Sequence, residues 1–227
     1  MYLSYVGCGW CPHMTSTNAT ILENVNLAGH KLITQMINTG MTWTEPGSLK
    51  FLLWGRVPSE QSISIKIGKY GEELFKLIIR NLPHLQLLKC GIQIMNDKGK
   101  KKDVDLCWVD IHKNTIYVME LKGNMELDTE KLPVTFQKMK DVIGPWAVGE
   151  YPGYVVNTSI LHWGIYDRTH LKKGLAQIKK CEAAGVPVNH VRQFLDLVGF
   201  TWSEDEYKKH FSDIGLRFNS ELLGQDN

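Results

Sequence analysis

Asp105, Glu120 and Lys122 lie in residues 100–124 (KKKDVDLCWVDIHKNTIYVMELKGN), a stretch otherwise rich in β-branched and aromatic side chains. Two such runs, 104–111 and 115–122, flank the polar tripeptide His112-Lys113-Asn114, which predicts a β-hairpin. With the turn centred between His112 and Lys113, antiparallel pairing sets Asp105 opposite Glu120. Strand alternation puts Lys122 on the face of Glu120, and Tyr117, Met119 and Leu121 on the other. Two carboxylates so placed suit a hard divalent cation such as Mg2+, which takes oxygen ligands and leaves room for water and phosphate. Such an ion polarises a phosphodiester and acidifies a bound water, while an adjacent ammonium orients that water or offsets developing charge. Stability does not explain the trio, because an exposed cross-strand charge pair contributes under ~1 kcal/mol.

The spacing Asp105-x14-Glu120-x-Lys122 resembles the PD-(D/E)xK nuclease superfamily, with Val104 standing where many members carry proline. From Glu120 the chain reads ELKGNMELDTEK, which is similar to the segment after the catalytic strand of some type II restriction endonucleases. The resemblance implies an α/β fold: a restriction-endonuclease-like αβββαβ core, a central mixed sheet flanked by helices, and helical N- and C-terminal additions. It implies Asp105, Glu120 and Lys122 as catalytic residues, and Asp105 and Glu120, joined by Glu72, as metal ligands. Mg2+ is the implied cofactor, and Mn2+ a substitute. The implied reaction is sequence-specific hydrolysis of double-stranded DNA to 5′-phosphate and 3′-hydroxyl ends. A homodimer would match a palindromic site, because a twofold protein reads a twofold sequence. A cognate DNA methyltransferase would protect the same site.

Further elements must position these groups. Residues 62–82 predict a helix in which Leu74, Leu77, Ile78 and Leu82 form an apolar stripe from Tyr70 onward, closed by Pro83. The spacing Gly68-x3-Glu72 resembles the superfamily's extra ligand on the helix before the hairpin, with Glu73 in reserve; acids also favour a helix's first turn on electrostatic grounds alone. Residues 85–95 predict a strand in which Gly91 marks a bulge or close contact. A helix over 129–142, capped by Asp128, would carry Lys131, Gln137, Lys138 and Lys140 past the catalytic strand, within reach of a DNA backbone. Residues 144–153 read as a loop and 154–166 as the next strand, giving the order helix, three strands, helix, strand. A helix over 18–37 precedes this core. Helices over 167–185, 190–198 and 203–214 follow it, the last started by a Ser203–Glu206 capping box.

The 227 residues are read as one nuclease domain: an N-terminal helical and loop region (1–61), a catalytic core (62–166) and a helical C-terminal part (167–227). A net charge of +2 does not by itself announce a nucleic acid, but Lys98, Lys100, Lys101 and Lys102 adjoin the candidate centre. A basic rim beside an acidic centre is what a phosphate polymer requires, so Lys101, Lys102, Asn124, Lys131 and Lys138 are the expected DNA contacts. Five cysteines, no signal-like start and no run of membrane length predict a cytoplasmic protein with no membrane partner. Cys8-Gly9-Trp10-Cys11-Pro12-His13 holds a C-x-x-C pair but lacks both a redox fold's lead-in and a second close Cys/His pair, so a plain N-terminal turn is expected. The alternatives are a structure-selective repair or resolvase nuclease and a non-catalytic binding domain on the same fold.

Overall fold

Residues 18–38, 41–94, 101–125 and 132–223 are described by a computed structural model. In chain order they form α1 (Asn18–Asn38), α2 (Leu49–Trp54), α3 (Glu60–Asn81), β1 (Leu85–Leu87), β2 (Gly91–Ile94), β3 (Lys101–Val104), β4 (Leu106–Asp110) and β5 (Thr115–Lys122). There follow α4 (Leu132–Lys138), α5 (Gly144–Glu150), β6 (Val155–His162), α6 (Leu175–Ala183), β7 (Val188–His190), α7 (Val191–Val198) and α8 (Glu204–Leu223). Cys8, Cys11, His13, Asp128 and Lys131 lie outside the described residues.

A mixed sheet of strand order β1-β4-β5-β6-β7 forms the centre of an α/β fold. β4 pairs antiparallel with β5 from Leu106↔Met119 to Asp110↔Thr115, the register read from the sequence. The polar turn closes it with Asn114 in the left-handed region (φ 49°). β6 then lies parallel to β5 and β7 parallel to β6, after the helical crossover that parallel pairing requires. Every residue of β5 except Lys122 is buried, as befits a strand covered on both faces.

The two faces have separate apolar layers. Tyr70, Leu74, Phe75, Ile78 and Ile79 of α3 form a helical stripe over Trp108, Tyr117, Met119 and Leu121, completed by α1, α7 and α8. Trp108 is stacked on Tyr117 at 5.0 Å and meets the edge of Phe194 at 5.9 Å. On the other face, Cys107, Ile116, Val118 and Ile160 pack beneath Leu132, Met139, Ile143, Ala147 and Ile178. By alternation Glu120 and Lys122 belong to this second face, where α4 passes.

Several elements differ from the sequence reading for physical reasons. α3 starts at Glu60, capped by the Ser59 hydroxyl, because Ser-Ile-Ser-Ile-Lys-Ile alternates like a strand and hides the helix's first turns. Residues 85–95 are not one strand: Gly91 adopts φ 84°, and β2 leaves the sheet to pair with β3 as a separate hairpin. Residues 144–150, read as a loop, are helical, with Pro145 near the start of α5 directly after a π turn, a local rewinding at which a residue without an N–H is accommodated. A π turn, Met139–Ile143, joins α4 to α5. The predicted 167–185 helix is a short 3-10 turn followed by α6.

Candidate active site

Asp105 occupies the break between β3 and β4. Its carboxylate accepts the backbone N–H of Leu121 at 2.8 Å, so the strand that carries Glu120 also holds Asp105 in place. Glu120 is buried, and each of its oxygens meets a lysine: Lys122 Nζ lies 3.1 Å from Oε1, and Lys138 Nζ lies 2.7 Å from Oε2. Lys138, expected along a DNA backbone, comes from α4 into the carboxylate cluster, immediately before the π turn. No spacing rule could have paired residues 120 and 138, because the contact depends on where the crossover helix lands on the sheet.

Burial dominates the electrostatics at this point. Burial, then the Glu120 carboxylate and more weakly Glu72, push the Asp105 carboxyl up to about 7 against the opposing pull of the Leu121 N–H and Lys138. Glu72 itself is raised, chiefly by burial and also by Asp103 and Glu73, while Lys76 at 3.7 Å lowers it. Glu73 turns toward Lys76 at 3.0 Å and Arg80 at 3.8 Å. Of these two adjacent acids, Glu72 is the one whose charge Asp105 feels.

Among the described residues, no three His, Cys, Asp or Glu side chains draw together closely enough to form a complete metal cage. A cage is not what Mg2+ needs, because that ion keeps several waters and takes one or two carboxylates together with substrate phosphate. The donor set is all oxygen, and an Asp carboxyl pushed up to about 7 by burial, with the Glu120 carboxylate adding to it, marks a place where added positive charge would be stabilising. Asp105 and Glu120 therefore fit such an ion, with Glu72 nearby.

The remaining sequence-derived residues border the site. Lys101 is exposed and Lys102 half-buried on β3. Lys102 and Lys138 line one open groove of about 550 Å3 along α4. Asn124 is exposed two residues beyond Lys122. His162 stands beside Lys122 on the parallel neighbour β6, but it is buried and takes the Met125 N–H at 3.5 Å, so it is a core side chain rather than a surface contact.

Comparison with known proteins adds little. No family model matches the chain, and no curated protein does. One solved structure is similar, protein VC1899 from Vibrio cholerae, at 14% identity and a TM-score of 0.39 over 89% of this chain and 53% of that one. The chain thus spans about half the length of that neighbour, and a likeness of this size carries no inference about activity. Among the described residues no helix is long and apolar enough to cross a membrane.

Proposed function

We propose that this chain is a divalent-metal-dependent DNA endonuclease of the PD-(D/E)xK kind, and specifically a type II, sequence-specific one acting as a homodimer on double-stranded DNA. The observation that carries the reading is the meeting of Asp105, Glu120, Lys122 and Lys138, with the Asp105 carboxyl raised to about 7 at a buried strand break. Perturbed acids gathered with cations at the end of a strand are characteristic of catalytic sites.

Asp105 and Glu120 would hold Mg2+ or Mn2+, with Glu72 in support, and the bound ion supplies Lewis-acid polarisation and an acidified water. Lys122 offers ammonium donors at the rim of the centre, where they orient the attacking water and offset charge on the phosphate. Lys138 holds the second oxygen of Glu120, fixing that carboxylate's direction. Attack in line adds hydroxide to phosphorus, breaks the bond to the 3′ oxygen and returns a proton to it, leaving a 5′ phosphate and a 3′ hydroxyl. Lys101 and Lys102 on β3 would hold flanking phosphates.

Digestion of a long unmethylated duplex in Mg2+, with EDTA and Lys122→Ala controls, tests the reading. Discrete bands lost in both controls support it, and sequencing their ends gives the target. A smear would replace the sequence-specific reading with a structure- or sequence-tolerant nuclease. Intact DNA of every form, duplex, branched and single-stranded, would overturn catalysis.

A further inference from the structure

A cleft of about 410 Å3 opens beside the proposed centre, at the end of β5. Ile63, Ile67 and Gly68 of α3 form one wall, Gly123 and Asn124 the other, and Trp163 the floor. Its size falls in the ~300–1,000 Å3 range of small-molecule sites, and its character is that of such sites: apolar walls with a few polar groups at the rim, here Ser64 and Asn124.

The floor is fixed rigidly to the catalytic strand. The Trp163 N–H donates to the Lys122 carbonyl at 3.0 Å, and the Trp163 carbonyl accepts the Tyr207 hydroxyl at 2.6 Å. The indole is stacked on Phe211 at 5.7 Å. It fits so closely that a Cβ added at Gly71 or Gly123 would stand 2.7 or 2.9 Å from the ring. Gly68 is the opposite case: a Cβ there meets nothing within 4 Å, because it would point into open space. A glycine inside a helix costs about 0.5–1 kcal/mol relative to alanine, and at this position its effect is to leave the cleft clear.

We propose that this cleft holds one unstacked nucleobase of the strand being cut, next to the scissile phosphate. The inference rests on the nuclease reading and adds a base-binding subsite to it. A flat heteroaromatic ring matches the Ile63–Ile67 wall, and its polar edge matches Ser64 and the Asn124 amide, which donates and accepts as base edges do. The ring is tethered to a phosphate, and the cleft begins at the residue following Lys122. Unstacked bases are held in proteins by apolar contact of this kind with hydrogen bonds at the edge.

The test is a titration of isotope-labelled protein, in EDTA, with the four deoxynucleoside 5′-monophosphates, read from the amide signals of Gly68 and Gly123 and the Trp163 indole signal. Saturable shifts in the wild type that are absent in Gly68→Leu, which fills the cleft, and kept in Gly68→Ala are the expected result. No shift in the wild type, or equal shifts in Gly68→Leu, would overturn the cleft as a base site. Because no cleavage occurs in EDTA, this result is independent of duplex digestion. Cleavage without shifts removes the subsite and leaves the nuclease; shifts without cleavage remove the nuclease and leave a nucleotide site. In an active enzyme, Gly68→Leu lowers the cleavage rate about tenfold or more, in line with the value of base stacking on protein surfaces.

Discussion

At the scale of single residues, the acid whose side chain replaces a strand contact carries a penalty when ionised. Asp105 titrates near 7 when folded and near its ordinary value when unfolded, so the folded state binds more protons between those limits and stability falls as pH rises through them. Asp105→Asn removes that penalty. In EDTA at pH 8 the variant is expected to unfold at a higher temperature than the wild type, by on the order of 1–3 kcal/mol, while losing activity. An unchanged or lower melting temperature would contradict a carboxylate penalised by burial. Adding Mg2+ should raise the melting temperature of the wild type and not of the variant. Lys138 gives a second residue-level prediction. Lys138→Met should cut the rate at saturating DNA by about a hundredfold, as removal of one positioned donor does, and leave the salt dependence of binding nearly unchanged. A lysine that only touched DNA phosphate would do the reverse, lowering the salt slope by about one.

At the scale of elements, the glycines around Trp163 separate tight packing from open space. Gly123→Ala and Gly71→Ala place a methyl group against the indole, and a misfit of that kind typically costs about 1–3 kcal/mol. Both should melt earlier by several degrees, and Gly123→Ala should also impair Lys122 through the shared strand end. Gly68→Ala is expected to melt slightly later, by about 0.5–1 kcal/mol. Scanning calorimetry of the three proteins decides the point. The elements also show what one sequence can disclose. The β4–β5 register was legible because a polar turn and period-2 alternation leave one pairing that buries the apolar face. The break at Asp105 was not legible, since it arises when β3 departs to pair with β2. Nor was β7, whose three residues show no periodicity. The pairing of Lys138 with Glu120 was not legible either, because its place depends on how the crossover helix lies on the sheet.

At the scale of the whole molecule, two buried histidines are kept neutral, and one of them ties distant parts of the chain together. His210 on α8 is hydrogen-bonded to Tyr70 of α3, and through its Nδ1 to Asn26 of α1 at 2.8 Å. Burial pulls it down to about 4. His190 at the end of β7 is likewise drawn down to about 4 by burial, then by His162 and Arg168. The unfolded chain takes up these protons near pH 6.5 and the folded chain only near 4, so stability is lost as pH falls across that interval, by on the order of 1–3 kcal/mol for each histidine. Asp105 works in the opposite direction, so the Asp105→Asn background removes that opposing contribution. In that background, urea midpoints should decline steadily from pH 6.5 to pH 4. A flat profile would show that neither imidazole is held neutral.

The hydrogen bond from the Leu121 N–H to Asp105 has one more consequence. A backbone proton near the end of a buried strand depends on the ionisation of a single carboxyl side chain. Its exchange with solvent deuterium should therefore track the Asp105 carboxyl, slowing as pH climbs past 7 beyond the ordinary base-catalysed trend and changing again when a cation arrives. One amide thus reports the state of the centre with no substrate present.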